Sequence, residues 1–249
     1  MTTVDITSAE DLPVWRRPIA LLVLMAIAMP LAFSTWAALL NNFVIERAGF
    51  TGVENGWLHT VREIPGFLSF AVVFILLVMR EQFLGILSLV TLGVASAVTA
   101  WFPTFGGILM VTFIASIGFH FFETVNTSLQ LQWISKERAP QMLGWLVAVG
   151  SGASLLSYGT IVATWQLFDL SYNTVYMISG GACVLIAVYC HFAFPNFRAK
   201  PQAKKMVLKR RYWLYYALQF VAGARRQIFV VFAAFMMVEH FEFDVHEIT

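Results

Sequence analysis

Seven apolar stretches, each near the roughly 20 residues that cross a bilayer as a helix, follow one another along this chain of 249 residues. They cover 18–40, 56–79, 83–102, 106–131, 142–165, 175–194 and 212–238. Backbone amides find no water in a lipid core, so only helices and closed barrels span it. Barrel strands would show as ten-residue segments of alternating polarity, and the chain has no such alternation. The expected fold is an all-α polytopic membrane protein with about seven spanning helices. Composition agrees: the chain is 59% hydrophobic and 12% charged, against about 45–50% and 25% in soluble domains.

The 16 basic residues set an expected orientation. Twelve of them fall on one side if the N-terminus is cytoplasmic, Arg47 falls in an outer loop, and Arg62, Arg225 and Arg226 fall at membrane depth. Basic loops are retained inside, so a cytoplasmic N-terminus is predicted, in a cell (inner) membrane. The first apolar run begins after Arg16 and Arg17 and is too long for a cleaved signal. Residues 196–211 hold seven basic side chains and no acidic one, which suits a loop lying beside anionic headgroups. Cys183 and Cys190 stand seven apart in one apolar segment, two helical turns and too far to bridge. They read as small packing residues. Neither a cofactor nor a metal site is expected, nor a nucleic-acid partner.

A charged side chain in the middle of a bilayer costs roughly 2.5–3.5 kcal/mol on insertion scales, so it usually serves a cavity, a substrate or a counter-charge. The adjacent Arg225 and Arg226, with Gln227, stand halfway along the last apolar stretch. Consecutive residues on a helix diverge by about 100°, so one arginine at most is expected to reach a cavity centre. There its planar fork suits a carboxylate, phosphate or sulfonate. The alternative is a structural pairing with Glu123 or Glu63.

The second stretch carries His59, Arg62 and Glu63, followed by Pro65. By the same angular argument Arg62 and Glu63 need not pair with each other. Either they snorkel to headgroups or Arg62 enters the cavity with Pro65 bending the helix. In the fourth stretch His120, Glu123, Thr127 and Gln130 form one stripe at steps of three, four and three, with Asn126 nearby. A carboxyl caught between a low dielectric and an arginine can be switched by its surroundings, which suits Glu123 to proton coupling. A polar seam with Glu123 as structural counter-ion is the other reading. In the first stretch Trp36 is a candidate ligand-stacking ring or a packing residue, and Asn41 and Asn42 stand near the outer boundary.

The last stretch echoes the first at an offset of 193 residues: Glu46 aligns with Glu239, Phe50 with Phe243 and Glu54 with Glu247. Basic pairs, Arg16–Arg17 and Arg210–Arg211, precede both. A repeat placed after six helices and a basic loop is what parallel-repeat transporters show. The topology as a whole resembles the major facilitator superfamily, in which two six-helix bundles are joined by a cytoplasmic loop. Lys136-Glu137-Arg138-Ala139-Pro140 with Gly144 is similar to that family's loop between helices four and five, and Gly150-Ser151-Gly152-Ala153-Ser154 to its small-residue fifth helix. The loop between helices two and three is only Arg80-Glu81-Gln82, shorter than the family's gating signature.

The resemblance implies a tail (1–17), a first bundle (18–195), a linker (196–211) and the first helix of an incomplete second bundle (212–249), with about five further helices expected beyond. It implies a secondary transporter working by alternating access. The arginines add a preference for a small organic anion. Arg225, Arg226, Gln227, Arg62, Trp36 and Asn126 are then the substrate candidates, and Glu123, His120 and Glu63 the proton-coupling or counter-ion candidates. A neutral or cationic solute fits instead if Glu123 is the substrate group. A seven-helix receptor or sensor and an inactive transporter fragment are the competing readings; a retinal protein would need a lysine in the last helix, and 212–249 has none. An enzyme is disfavoured because the five histidines are scattered and no phosphate loop or nucleophile elbow is present.

Overall fold

A computed structural model describes residues 3–168, 170–198, 209–241, 243 and 245; the side chains of 166–168, 219–220, 222–232 and 234 lie outside the described set. The chain is helical almost throughout. Its long helices are α1 (Pro18–Ala48), α2 (Gly52–Phe67), α3 (Glu81–Val98), α4 (Phe105–Trp133), α5 (Ala139–Phe168), α6 (Tyr172–Ala193) and α7 (Trp213–Phe241). Among the described residues six helices are long and apolar enough to cross a membrane, α1 to α6 with the short continuations of α2 and α3. The seventh expected crossing is helical as α7, but most of its middle side chains are undescribed.

Helix α1 runs eight residues beyond its expected end at Leu40. Pro18, whose missing amide hydrogen costs nothing in a first turn, starts it, and nothing stops it before Gly49. Gly49 adopts φ 63°, the left-handed conformation that ends helices cheaply only in glycine. The amides of Gly49 and Phe50 then close on the carbonyls of Ile45 and Val44. Asn41 and Asn42, which look like a boundary in the sequence, are buried inside the helix bundle. The Asn42 amide reaches the carbonyl of Phe243 at 2.9 Å, tying α1 to the residues after α7.

Helix α2 begins with a reciprocal cap. The Thr51 hydroxyl accepts from the Val53 amide at 3.3 Å, and Glu54 accepts from the Thr51 amide at 2.9 Å. Its expected span of 56–79 is interrupted. Two residues after Pro65 the α pattern stops at Phe67, gives a 3-10 segment at Leu68–Ala71 and resumes for one turn at Val72–Ile75. A proline removes one bond of the ladder in the turn before it, yet the α pattern continues through Pro65, and the irregularity falls after it, at Leu68–Ala71.

Helix α1 is the hub: it packs against α3, α4, α5, α6 and α7, while α2 pairs with α4, and α3 with both α4 and α6. In lipid, apolar burial between helices gains little, so close approach at small residues does the work. A Cβ on Gly118 would stand 2.6 Å from the Leu92 amide nitrogen, and one on Gly93 2.8 Å from the Gly180 carbonyl oxygen. These contacts let α3 touch α4 and α6 backbone to backbone. Cys183 and Cys190 are buried and unbridged, as packing residues would be.

The tail and linker hold a structure that the expected four-part division does not contain. Thr3–Asp5 (β1) pairs in parallel with Asn196–Arg198 (β2). Gln82 clamps the joint, donating to the Pro195 carbonyl and accepting from the Phe197 amide, both at 2.9 Å. Arg16 donates to the Ala193 carbonyl at 3.0 Å, and Trp133 meets Phe197 edge to face at 5.3 Å. The tail, the start of α3 and the ends of α4 and α6 therefore meet at one end of the bundle.

Candidate functional site

Helices α2 and α4 run parallel, and two contacts fix their register. The Ser116 hydroxyl donates to the Arg62 carbonyl. One turn further on, the His120 ring lies against Gly66, where a Cβ would stand 2.7 Å from Cε1. Only the absence of a side chain at Gly66 admits the imidazole. Arg62, Glu63 and His120 thus share one level of the bundle.

Arg62 and Glu63 do pair. Nε and Nη2 of Arg62 donate to Glu63 Oε1 at 3.0 and 2.8 Å. The 100° between neighbours on a helix does not require this pairing, and both side chains are long enough to curl across it. The Arg62 side chain is 14% exposed and Glu63 40%, so the cation sits deeper than the carboxylate. His120 lies within electrostatic reach of both.

Aromatic rings connect His120 to α1. Phe119 is edge-on to His120 at 5.1 Å and stacks on Phe33 at 4.3 Å, and Phe33 stacks on Trp36 at 6.0 Å. Trp36 is 3% exposed and its indole Nε1 has no hydrogen-bond partner among the described residues. The Asn126 carbonyl oxygen is likewise buried without a partner. Glu123 stands apart from this group: it is exposed, it has no ion pair among the described residues, and its carbonyl accepts from Thr127 at 2.9 Å. His120 therefore faces α2, while Glu123 on the same helix is exposed. Arg225, Arg226 and Gln227 lie on the backbone of α7, which packs against α1 and α2. Their side chains lie outside the described residues.

Several polar residues here escape a reading by charge or motif. Asn55, Thr112 and Ser116 are all buried. Their only sequence signal is spacing: Asn55 precedes His59 by four residues, and Thr112, Ser116 and His120 recur at steps of four. At the opposite end Glu81 accepts from Ser128 at 3.1 Å and from Gln132, joining α3 to α4. With Gln82 holding the strap, the first two residues of α3, expected in a short loop, serve as fasteners in its opening turn.

No family model matches the chain, and no curated protein or solved structure matches it either.

Proposed function

We propose that this chain is a secondary transporter of the major facilitator type, moving a small organic anion by alternating access. One observation carries the reading: a strand-and-helix unit occurs twice. Thr3 pairs with Asn196, 193 residues on, and each strand is followed by a basic pair and a long apolar helix, Arg16–Arg17 before α1 and Arg210–Arg211 before α7. Parallel repeats of this kind build carriers whose substrate site lies between the repeats. Helix α7, which carries Arg225 and Arg226, packs on α1 and on α2, the helix of Arg62 and Glu63.

In this reading Arg62, with Arg225 or Arg226, binds the anion's oxygens, Trp36 and Asn126 line its path, and Glu63 and His120 exchange the coupling proton. Glu123 is a second proton candidate. The exposed run Lys209, Arg210, Arg211, Tyr212 and Trp213 joins charge to aromatic side chains, as an anchor at anionic headgroups would.

The test is uptake into proteoliposomes containing the purified full-length protein, using labelled carboxylates, sulfonates and phosphate esters. Uptake above empty vesicles is expected, with loss in Arg62→Ala and in Arg225→Ala or Arg226→Ala at unchanged protein level. Absence of any anion uptake, or full activity in all three variants, rejects the reading. Unaltered pH dependence in Glu123→Gln removes Glu123 from the coupling scheme.

A further inference from the structure

The face of α2 that presses on α4 is polar along three turns. Taking about 100° per residue, Asn55 and His59 point within about 20° of the direction of Gly66, the residue in contact with His120. On α4, Thr112 and His120 lie about 40° to either side of Ser116, which bonds to α2. Five polar side chains therefore share one interface between two apolar helices. Asn55 is 0% and Thr112 1% exposed. Both Nδ2 and Oδ1 of Asn55, Nδ1 of His59 and Oγ1 of Thr112 are buried without a hydrogen-bond partner among the described residues.

A buried carboxamide with both ends unpaired is rare in folded proteins. A hydroxyl and an imidazole nitrogen in the same interface, also unpaired, mark polar sites of the sort that internal waters occupy, each water bonding to two to four such groups. From Asn55 to Gly66 the interface runs about 16 Å at 1.5 Å per residue. Its outer end lies one turn inside the first residue of α2, and its inner end is the His120 ring.

We infer that the α2–α4 interface holds a file of internal waters, bound by Asn55, His59 and Thr112, that connects His120 to the aqueous phase at the Thr51 end. Among the described residues, Arg62 and Glu63 of α2 are the charged groups within electrostatic reach of His120. The file gives His59 and His120 a route for proton exchange with the aqueous phase. It stands whether or not the chain carries an anion.

Water-edited solid-state NMR of the full protein in lipid bilayers, with histidine labelled by nitrogen-15, tests it. His240, which is exposed, supplies the reference. In the wild type, magnetisation from water is expected to reach the His59 and His120 rings about as fast as His240. The Asn55→Leu/Thr112→Val pair is expected to slow both several-fold and leave His240 unchanged. Thr112→Val alone, nearly equal in volume, gives a smaller slowing and serves if the double variant does not fold. Slow transfer in the wild type overturns the inference, as does an unchanged rate in a folded variant. Failure here leaves the uptake experiment untouched, and failure of uptake leaves the water file standing.

Discussion

The Ser116 hydroxyl donates to the Arg62 carbonyl, so the helix turn that carries a buried cation is fastened to its neighbour by a side chain and not by packing alone. That carbonyl belongs to the turn before Pro65, where the backbone ladder is already weakened. Ser116→Ala removes the fastener and is expected to destabilise the protein by about 0.5–1.5 kcal/mol. Thermal unfolding in detergent measures it. A loss no larger than that of Ser151→Ala, on an exposed face of α5, contradicts the assignment.

The glycines divide by what surrounds them. Gly118→Ala and Gly180→Ala push a methyl into neighbouring backbone, and overpacking of this kind costs typically 1–3 kcal/mol, roughly. Gly159→Ala and Gly181→Ala meet nothing within 4 Å and gain helix propensity of up to about 1 kcal/mol. The unfolding temperature is expected to fall for the first two and hold or rise for the second two. Equal behaviour of the pairs refutes the close helix crossings.

Gln82 is 5% exposed and satisfies both a carbonyl and an amide of the segment after α6. Gln82→Leu orphans the two partners, at about 1–3 kcal/mol for buried groups, and frees the strap. Trypsin is then expected to cut after Arg16 sooner than in the wild type, since the Arg17–Pro18 bond resists it, with the helical core intact. Unchanged cleavage there means that the strap does not depend on Gln82.

Glu137, in the turn between α4 and α5, is held below the usual carboxylate range by its own amide and by the Ser135 hydroxyl. A group with a depressed folded pKa stabilises the fold above its unfolded value, about 4.3 for glutamate, and that contribution disappears as pH falls through the lower folded value. Ser135→Ala is expected to move the Glu137 titration upward, as read by carbon NMR of labelled glutamate. No movement excludes the hydroxyl as a cause.

Much of the helical frame was legible because lipid leaves the backbone so few options: of the seven apolar stretches expected to cross, six are helices long and apolar enough to do so among the described residues. Boundaries were less so. Asn41 and Asn42 read as lying near the outer boundary of the first crossing, yet they are buried within a helix that continues to Ala48, where the left-handed turn at Gly49 ends it. At the site, Arg62, Glu63 and His120 were visible as charges in apolar surroundings, and the structure brings them to one level. Asn55 and Thr112 were not, because an uncharged polar residue in a membrane helix carries no signal until a neighbouring helix shows what it faces. Pairing of Thr3–Asp5 with Asn196–Arg198 was out of reach for the same reason. Three-residue strands have no period to detect, and their partners are distant in the chain.

That pairing also fixes an order of assembly. A ribosome releases β1 before any helix, and β1 finds no partner until β2 has followed six membrane segments out of the tunnel. Closure of the two strands is therefore a late step in biogenesis, available only to chains whose six helices have already been threaded with the correct parity, since an odd number would leave the strands on opposite sides of the bilayer.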